Sequence, residues 1–191
     1  MKNRQLVVAA VVVALAGVAA FASSAVRKPV VPPGLSSEMV AFHDICIAPG
    51  SHGDILRKAR ASGWMALEGD AVPLLLRGKD ASDLQDVRQG EIAGRPVMIS
   101  VADIGGTSEC RVYFKPAKPA VMVERLKGEV VLGAPLGAPD FDGELNYPEG
   151  WKAIGWHRSV ADSWRAVHYS FDPDGQGPNA DWQSIEITRR I

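Results

Sequence analysis

The two cysteines of this chain constrain its fold more than any other feature. Cys46 follows Met39 and Phe42 at the spacing of one helical face. Cys110 opens a segment in which apolar and polar residues alternate, the pattern of a strand buried on one side. A bond between the two cysteines would hold a helix against a sheet. In the chain-entropy model, closing a loop of this length stabilises a fold by about 4 kcal/mol.

The first 22 residues have the pattern of an export signal. Lys2 and Arg4 precede a run of 17 uncharged and mostly apolar residues, 6–22, which ends with the small residues Ala20 and Ala22 around Phe21. We predict that residues 1–22 are a cleaved signal peptide. The alternative is an N-terminal membrane anchor, because a run of this length lies at the lower limit for a spanning helix.

Both alternatives place the rest of the chain outside the cytoplasm. The short, Ala- and Val-rich signal favours a bacterial periplasm, with the protein either free or anchored in the inner membrane. Two cysteines of one small domain usually pair in an oxidising compartment. Cys46 and Cys110 are therefore predicted to form a disulfide. The alternative is a reactive Cys46 that uses His43 or His52 as its base.

The composition predicts one folded domain after a linker. Residues 23–37 hold three prolines and one glycine and are predicted to be a linker. Residues 38–191 are predicted to form a single domain, since 47% hydrophobic and 23% charged residues exclude a disordered chain. The formal net charge of −1 becomes −3 without Lys2 and Arg4. This balance argues against a nucleic-acid partner, which requires clustered Lys and Arg.

Two short helices joined by a turn are predicted before residue 64. Pro49 ends the first helix, and Ser51 with Asp54 resembles a capping box at the start of the second. Gly63 suits the position after the second helix, and Trp64 is placed to pack back over its end. This helical hairpin is expected to pack on a sheet.

Alternating residues predict most of that sheet. The predicted strands are a hairpin of 97–102 with 110–114, and a meander of 151–158, 163–171 and 182–189. A third helix is predicted over 119–128, and the remaining segments are interpreted as a short strand at 72–76, a polar loop at 78–89 and an irregular connection at 133–150. The predicted fold class is α+β, with a helical hairpin and one further helix packed on a mainly antiparallel sheet.

Short motifs resemble a known group of proteins. Phe42 with Cys46, Gly63 with Trp64, and the later Cys110 are arranged as in small exported alphaproteobacterial proteins of unknown function. The resemblance covers about residues 39–115. It implies export, and it implies no activity, cofactor or partner.

Two groups of polar residues suit metal ions poorly. The first has no standard ligand spacing and is better explained as solvated surface; it comprises His43, Asp44, His52 and Asp54. The second, which begins at Asp172, imitates the start of a calcium loop, but its twelfth position is Gln183 instead of Glu or Asp. A hairpin loop is therefore predicted at 172–180. No catalytic residue, metal ligand or cofactor is assigned.

Aromatic residues of the C-terminal third supply the candidate binding surface. Large rings with a polar atom are suited to binding, and core packing is the alternative. The candidates are Trp151, Trp156, Trp164, Trp182 and Tyr169.

The leading functional hypothesis is an exported, non-enzymatic binding or accessory protein with an unidentified envelope ligand or protein as its partner. It rests on the export signal and on the absence of a recognisable catalytic motif. The alternative is a periplasmic hydrolase or thiol-dependent enzyme that uses Cys46 with His43 or His52.

Overall fold

The computed structural model of the protein describes residues 36–48, 51–72, 86–104, 106–145, 149–177 and 179–190. The predicted signal or anchor at 1–22 lies outside these residues, as do most of the predicted linker and most of the strand predicted at 72–76. Among the described residues, no helix is both long enough and apolar enough to cross a membrane.

Helices precede each half of the sheet. Helix α1, Ser37–Ala41, continues directly into a π-helical segment, Phe42–Ile47, and helix α2 spans His52–Ala61. Residues 49–50 lie outside the described residues, so the helical hairpin stays a prediction. Helix α3, Pro119–Lys127, begins at the predicted proline. The proline suits this position because the first helical N–H has no partner within a helix.

The sheet is built from strands that alternate apolar and polar residues. Most of the strands predicted from alternation are present, and further strands occupy segments that were interpreted as loops. The strands are β1 Met65–Ala66, β2 Asp86–Ile92, β3 Arg95–Ile104, β4 Thr107–Phe114, β5 Val130–Val131, β6 Ala134–Pro135, β7 Phe141–Glu144, β8 Lys152–Val160, β9 Ser163–Phe171 and β10 Gln183–Arg190.

Two meanders meet at the centre of the sheet. In the part of the chain that the structure describes, eight strands form one sheet in the order β1-β2-β3-β4-β10-β9-β8-β7, and β5 pairs separately with β6. Every pairing is antiparallel. Strand β4 is therefore joined to β10 by pairing alone, without a direct turn. The predicted α+β class is confirmed.

The helices cover one face of the sheet, which we call the helix face. Isoleucine, valine and aromatic side chains of the central strands are buried there against α1, the π-helical segment and α3. Trp64 illustrates the fit: its N–H donates to the carbonyl of Ala59 at 3.1 Å, and its ring lies against Gly90 of β2. A Cβ at Gly90 would lie 2.6 Å from this ring. Burial on the helix face thus accounts for the main core.

A disulfide and polar contacts tie the first helical segments to this core. Cys46 and Cys110 are bonded, with their Cα atoms 5.5 Å apart, which confirms the predicted pairing. The guanidinium of Arg189 donates to the carbonyl oxygen of Cys46. The buried carboxylate of Glu38 accepts from Arg125 at 3.3 Å, which links α1 to α3.

Candidate functional site

The face opposite the helices, which we call the distal face, carries most of the polar chemistry of the sheet. Successive residues of a strand point to opposite faces. In β4, Cys110 and Val112 point to the helix face, so Glu109, Arg111 and Tyr113 point to the distal face. The same alternation in β9 and β10 places further polar groups beside them.

The five predicted binding residues divide between the two faces. Trp156 and Tyr169 are fully buried in the core of the helix face. Trp156 donates through Nε1 to the carbonyl of Gly137 at 2.9 Å, and the Tyr169 hydroxyl donates to Gln183 at 2.8 Å. These two side chains therefore do not share a surface with the other three.

The other three predicted residues lie on the distal face. Trp151 is buried in a small second core there, and Trp182 packs against it. The ammonium group of Lys115 lies 4.3 Å from the centre of the Trp182 ring, a cation–π contact. Trp164 is half-buried near the β8–β9 turn, with its ring centre 6.4 Å from that of His157.

The register of the strands produces a groove on the distal face. Residues opposite one another on antiparallel strands share a face and form rows across the sheet. From β10 to β7, one such row contains only small residues, Ser184, Ser170, Ala153 and Gly143, and it ends against Tyr113 of β4. A row of small side chains between rows of large ones leaves a trench across the strands. We call this trench the distal groove.

Larger side chains form the walls of the distal groove. The cavity has a volume of about 250 Å³. Trp151 and Leu145 stand on one side, and Arg111, Glu186, His168 and Phe141 stand on the other. Its lining comprises Arg111, Tyr113, Phe141, Leu145, Trp151, Ala153, His168, Ser170, Ser184 and Glu186.

The floor of the groove offers hydroxyl groups. Ser170 and Ser184 are 8% and 3% exposed. Neither hydroxyl has a hydrogen-bond partner within the described part of the chain. Both side chains line the groove, so their hydroxyls are placed to bond a polar atom of a ligand or water.

A charged cluster forms one wall. The Arg111 guanidinium lies 3.1 Å from Glu109 and forms a hydrogen-bonded ion pair with Glu186. Glu186 also accepts from Thr188 at 2.8 Å, and His168 lies 3.8 Å from it. The positive charge of Arg111 is thus neutralised by neighbouring carboxylates, so it is a poor anchor for an anionic ligand.

The two carboxylates of this cluster differ in acidity. Burial alone would raise the pKa of Glu186, but the Arg111 guanidinium, helped by His168 and Thr188, lowers this pKa to about 2. Burial raises the pKa of Glu109 despite the same guanidinium. Burial opposes the charge of Arg111 as well, but Glu186, Tyr113 and Glu109 hold its pKa well above the usual value. The ionised pair at the centre is therefore Arg111 with Glu186.

The residues of the proposed thiol chemistry are not assembled into a site. Cys46 is bonded to Cys110 and has no thiolate to offer in this state. His43 is exposed and lies 3.0 Å from the carboxylate of Asp44, while His52 lies 3.2 Å from Asp103. Each histidine is therefore paired with a local carboxylate.

The loop after β9 closes on its own aspartate. Asp172 accepts backbone N–H donors from Asp174, Gly175 and Gly177 at 2.9, 3.0 and 2.8 Å. These bonds, chiefly the one from Gly177, lower the pKa of Asp172. Its oxygens are occupied in organising the turn, which explains the partial calcium-loop pattern.

Sequence reasoning missed the charged wall of the groove. The signal in the sequence is a polar residue between two apolar residues of a predicted strand. Three residues fit it: Arg111, Glu186 and His168. The sequence offers no indication that β4 pairs with β10, which brings Arg111 to Glu186.

No protein-family model, curated protein or solved structure matches this chain. The function is therefore argued from the distal groove itself.

Proposed function

We propose that this chain is an exported binding protein that holds a small, uncharged, hydroxyl-bearing ligand in the distal groove. One observation carries the proposal: a row of small residues across three strands and the edge strand leaves a polar trench between rows of large side chains. A small pre-formed concavity with a few polar groups is typical of a ligand site.

The chemistry of the lining supports an uncharged ligand. Phe141, which is 41% exposed, offers ring surface for an apolar ligand face, and the buried Trp151 and Tyr113 border the groove from the second core. Ser170 and Ser184 offer hydroxyls on the floor. Arg111 is paired with Glu186 and lies beside Glu109, so its charge is compensated within the cluster.

The disulfide supports an oxidising setting, because such bonds rarely persist in reducing compartments. The signal peptide or membrane anchor at 1–22, the periplasmic location and the likeness to exported alphaproteobacterial proteins stay proposals. The thiol-dependent alternative is not proposed, since Cys46 is bonded and its histidines have local partners.

A groove-filling variant tests the proposal. Ser170→Leu places a larger side chain on the groove floor, whereas Ser159→Leu changes an exposed serine of β8 on the same face. Ligand-observed NMR with a library of uncharged and charged fragments is expected to find uncharged, hydroxyl-bearing rings. Their signals should vanish with Ser170→Leu and persist with Ser159→Leu.

Two outcomes would contradict the proposal. Binders that are unaffected by Ser170→Leu would place the site elsewhere. A set of binders dominated by anions would show that Arg111 is not neutralised as the structure indicates.

A further inference from the structure

A chain of rings leaves the distal groove and runs along the β8–β9 hairpin. Phe141 and His168 line the groove, and their ring centres are 6.5 Å apart. His168 is followed by His157 at 5.9 Å, and His157 by Trp164 at 6.4 Å. We call these four side chains the aromatic row. The aromatic row runs from the groove toward the tip of the β8–β9 hairpin.

The aromatic row is accessible, unlike the aromatic core of the helix face. Phe141 is 41% exposed and the His157 side chain is 47% exposed, whereas Trp156 is fully buried. Single exposed rings are common on protein surfaces, but these rings are contiguous across neighbouring strands. A row of such rings therefore indicates a binding surface longer than the groove.

Glycines make room for the row. A Cβ at Gly155 would lie 2.7 Å from the His168 ring, and a Cβ at Gly143 would lie 2.8 Å from the Phe141 ring. Both glycines are on the distal face, directly under the two rings that join the groove to the row. Their missing side chains let these rings lie close to the sheet.

The charges beside the row disfavour a polyanion. His168 lies 3.8 Å from the carboxylate of Glu186, and His157 lies 3.4 Å from that of Asp140. Single-stranded nucleic acids also stack on aromatic rows, but their grooves carry unpaired basic residues along the backbone. Carboxylates at both histidines would repel phosphate or sulfate groups.

We infer that the distal face binds a linear, uncharged glycan, with its terminal sugar in the groove and the following sugars on the aromatic row. This inference rests on the proposed function and adds the class of ligand. Sugar rings have apolar C–H faces that pack on aromatic rings and hydroxyl edges that bond to serine, histidine and carboxylate groups. The ring centres are 5.9–6.5 Å apart, and the steep angles of 81° and 77° at His168 present ring edges as well as ring faces to a polymer of six-membered rings.

Chain length provides the test. Isothermal titration of the full mature protein with β-1,4-linked oligomers of N-acetylglucosamine and of glucose, from one to five units, is expected to show tighter binding as the chain lengthens. In at least one series, four units should bind about tenfold more tightly than one. Trp164→Ala should remove most of that gain and leave the affinity for a single unit unchanged.

Two further variants guard against misfolding and non-specific effects. His157→Ala should reproduce part of the loss, because its ring precedes Trp164 in the row. Val160→Ala is the matched control, since Val160 is exposed on the same hairpin but belongs to the opposite face. It should bind all lengths as the unaltered protein does.

Each alternative result has a distinct meaning. Binding of single units that Ser170→Leu abolishes, without any gain from length, would overturn the glycan inference and leave the groove proposal standing. A length gain that Trp164→Ala and His157→Ala do not reduce would overturn the row. Failure of every oligomer to bind, or tighter binding of single-stranded DNA, would also overturn the inference.

Discussion

The helix face and the distal face of the sheet come from the same strands but serve different purposes. On the helix face, residues such as Val112, Tyr169 and Ile187 are buried in one continuous core. On the distal face, their immediate neighbours Arg111, His168 and Thr188 are polar and half-buried. Alternation lets one face stabilise the fold, so the other can carry buried charge and a row of small residues.

The two faces are also stabilised by different interactions. The helix face has a covalent link between Cys46 and Cys110 and large buried rings. The distal face has an ion-pair cluster around Arg111. Substitutions on the helix face should therefore change stability most, and those on the distal face should change pH dependence and binding.

The largest effect is expected from removing the disulfide. Cys46→Ser together with Cys110→Ser should lower the free energy of unfolding by about 4 kcal/mol, because the unfolded chain regains the entropy that the closed loop removes. Urea unfolding followed by tryptophan fluorescence measures this loss.

Reduction of the disulfide in the unaltered protein provides a control. Dithiothreitol should destabilise the unaltered protein by a similar amount and should not change the double variant. A loss below about 1 kcal/mol would mean that the helices are held mainly by packing and by the Arg189 contact to Cys46.

A smaller effect with a distinct pH profile is expected from Glu186→Gln. At neutral pH the loss should be about 2 kcal/mol, since Arg111 loses its closest partner but keeps Glu109. The folded pKa of Glu186 is about 2, against an ordinary value of 4.5. Its contribution is therefore complete above pH 4.5 and is lost as the pH falls toward 2.

Urea unfolding between pH 7 and pH 2 tests this profile. The unaltered protein should lose more stability over the acidic range than Glu186→Gln does. Glu109→Gln is the matched control: its pKa is raised, so its protonation on acidification favours the folded state, and its removal should not flatten the acid profile. Equal profiles for the unaltered protein and Glu186→Gln would refute the assignment.

The difference between the faces also explains what the sequence can reveal. Strand β10 is predicted because Ile185 and Ile187 alternate with polar residues, and β8 and β9 are predicted as the other strands of the same meander. The same alternation divides Trp156 and Tyr169 from Trp151, Trp164 and Trp182. Composition alone grouped all five, and only their position within each strand separates them.

Two of the strands that the sequence analysis did not predict illustrate the physical reasons. Strand β2 lies partly within the segment interpreted as a polar loop. The segment reads as polar because Arg88, which points to the helix face, is buried there in an ion pair with Asp86 at 3.0 Å. Edge strand β7 lies within the connection interpreted as irregular, since it is short and contains Gly143 beneath a ring. In both cases a contact between residues two apart on the same strand replaces the apolar pattern that marks a strand.

The groove depended on information that no single segment contains. Its floor requires the registers of β10, β9 and β8, and its charged wall requires the pairing of β4 with β10. Such pairings between distant segments are set by the packed core as a whole, so the residues were visible in the sequence but their assembly was not.

The smallest effect comes from deleting one hydroxyl on each face. Tyr169→Phe removes a hydrogen bond of 2.8 Å to Gln183 and should cost about 1 kcal/mol, moderated because Gln183 also accepts from the backbone N–H of Ala117 at 3.1 Å. Tyr113→Phe removes a longer contact of 3.4 Å to Ser100 and should cost only a few tenths of a kcal/mol. Burial raises the pKa of both phenols, so the difference should persist from neutral to moderately alkaline pH.

Binding should reverse that order. Tyr113 lines the distal groove, whereas Tyr169 faces the core on the other side of the sheet. Tyr113→Phe should therefore weaken the binding of any groove ligand several-fold, and Tyr169→Phe should leave it unchanged. Urea unfolding and isothermal titration of the same two variants measure both quantities. If Tyr169→Phe weakened binding as much as Tyr113→Phe, the two faces would be energetically coupled. The assignment of stability to the helix face and of binding to the distal face would then be wrong.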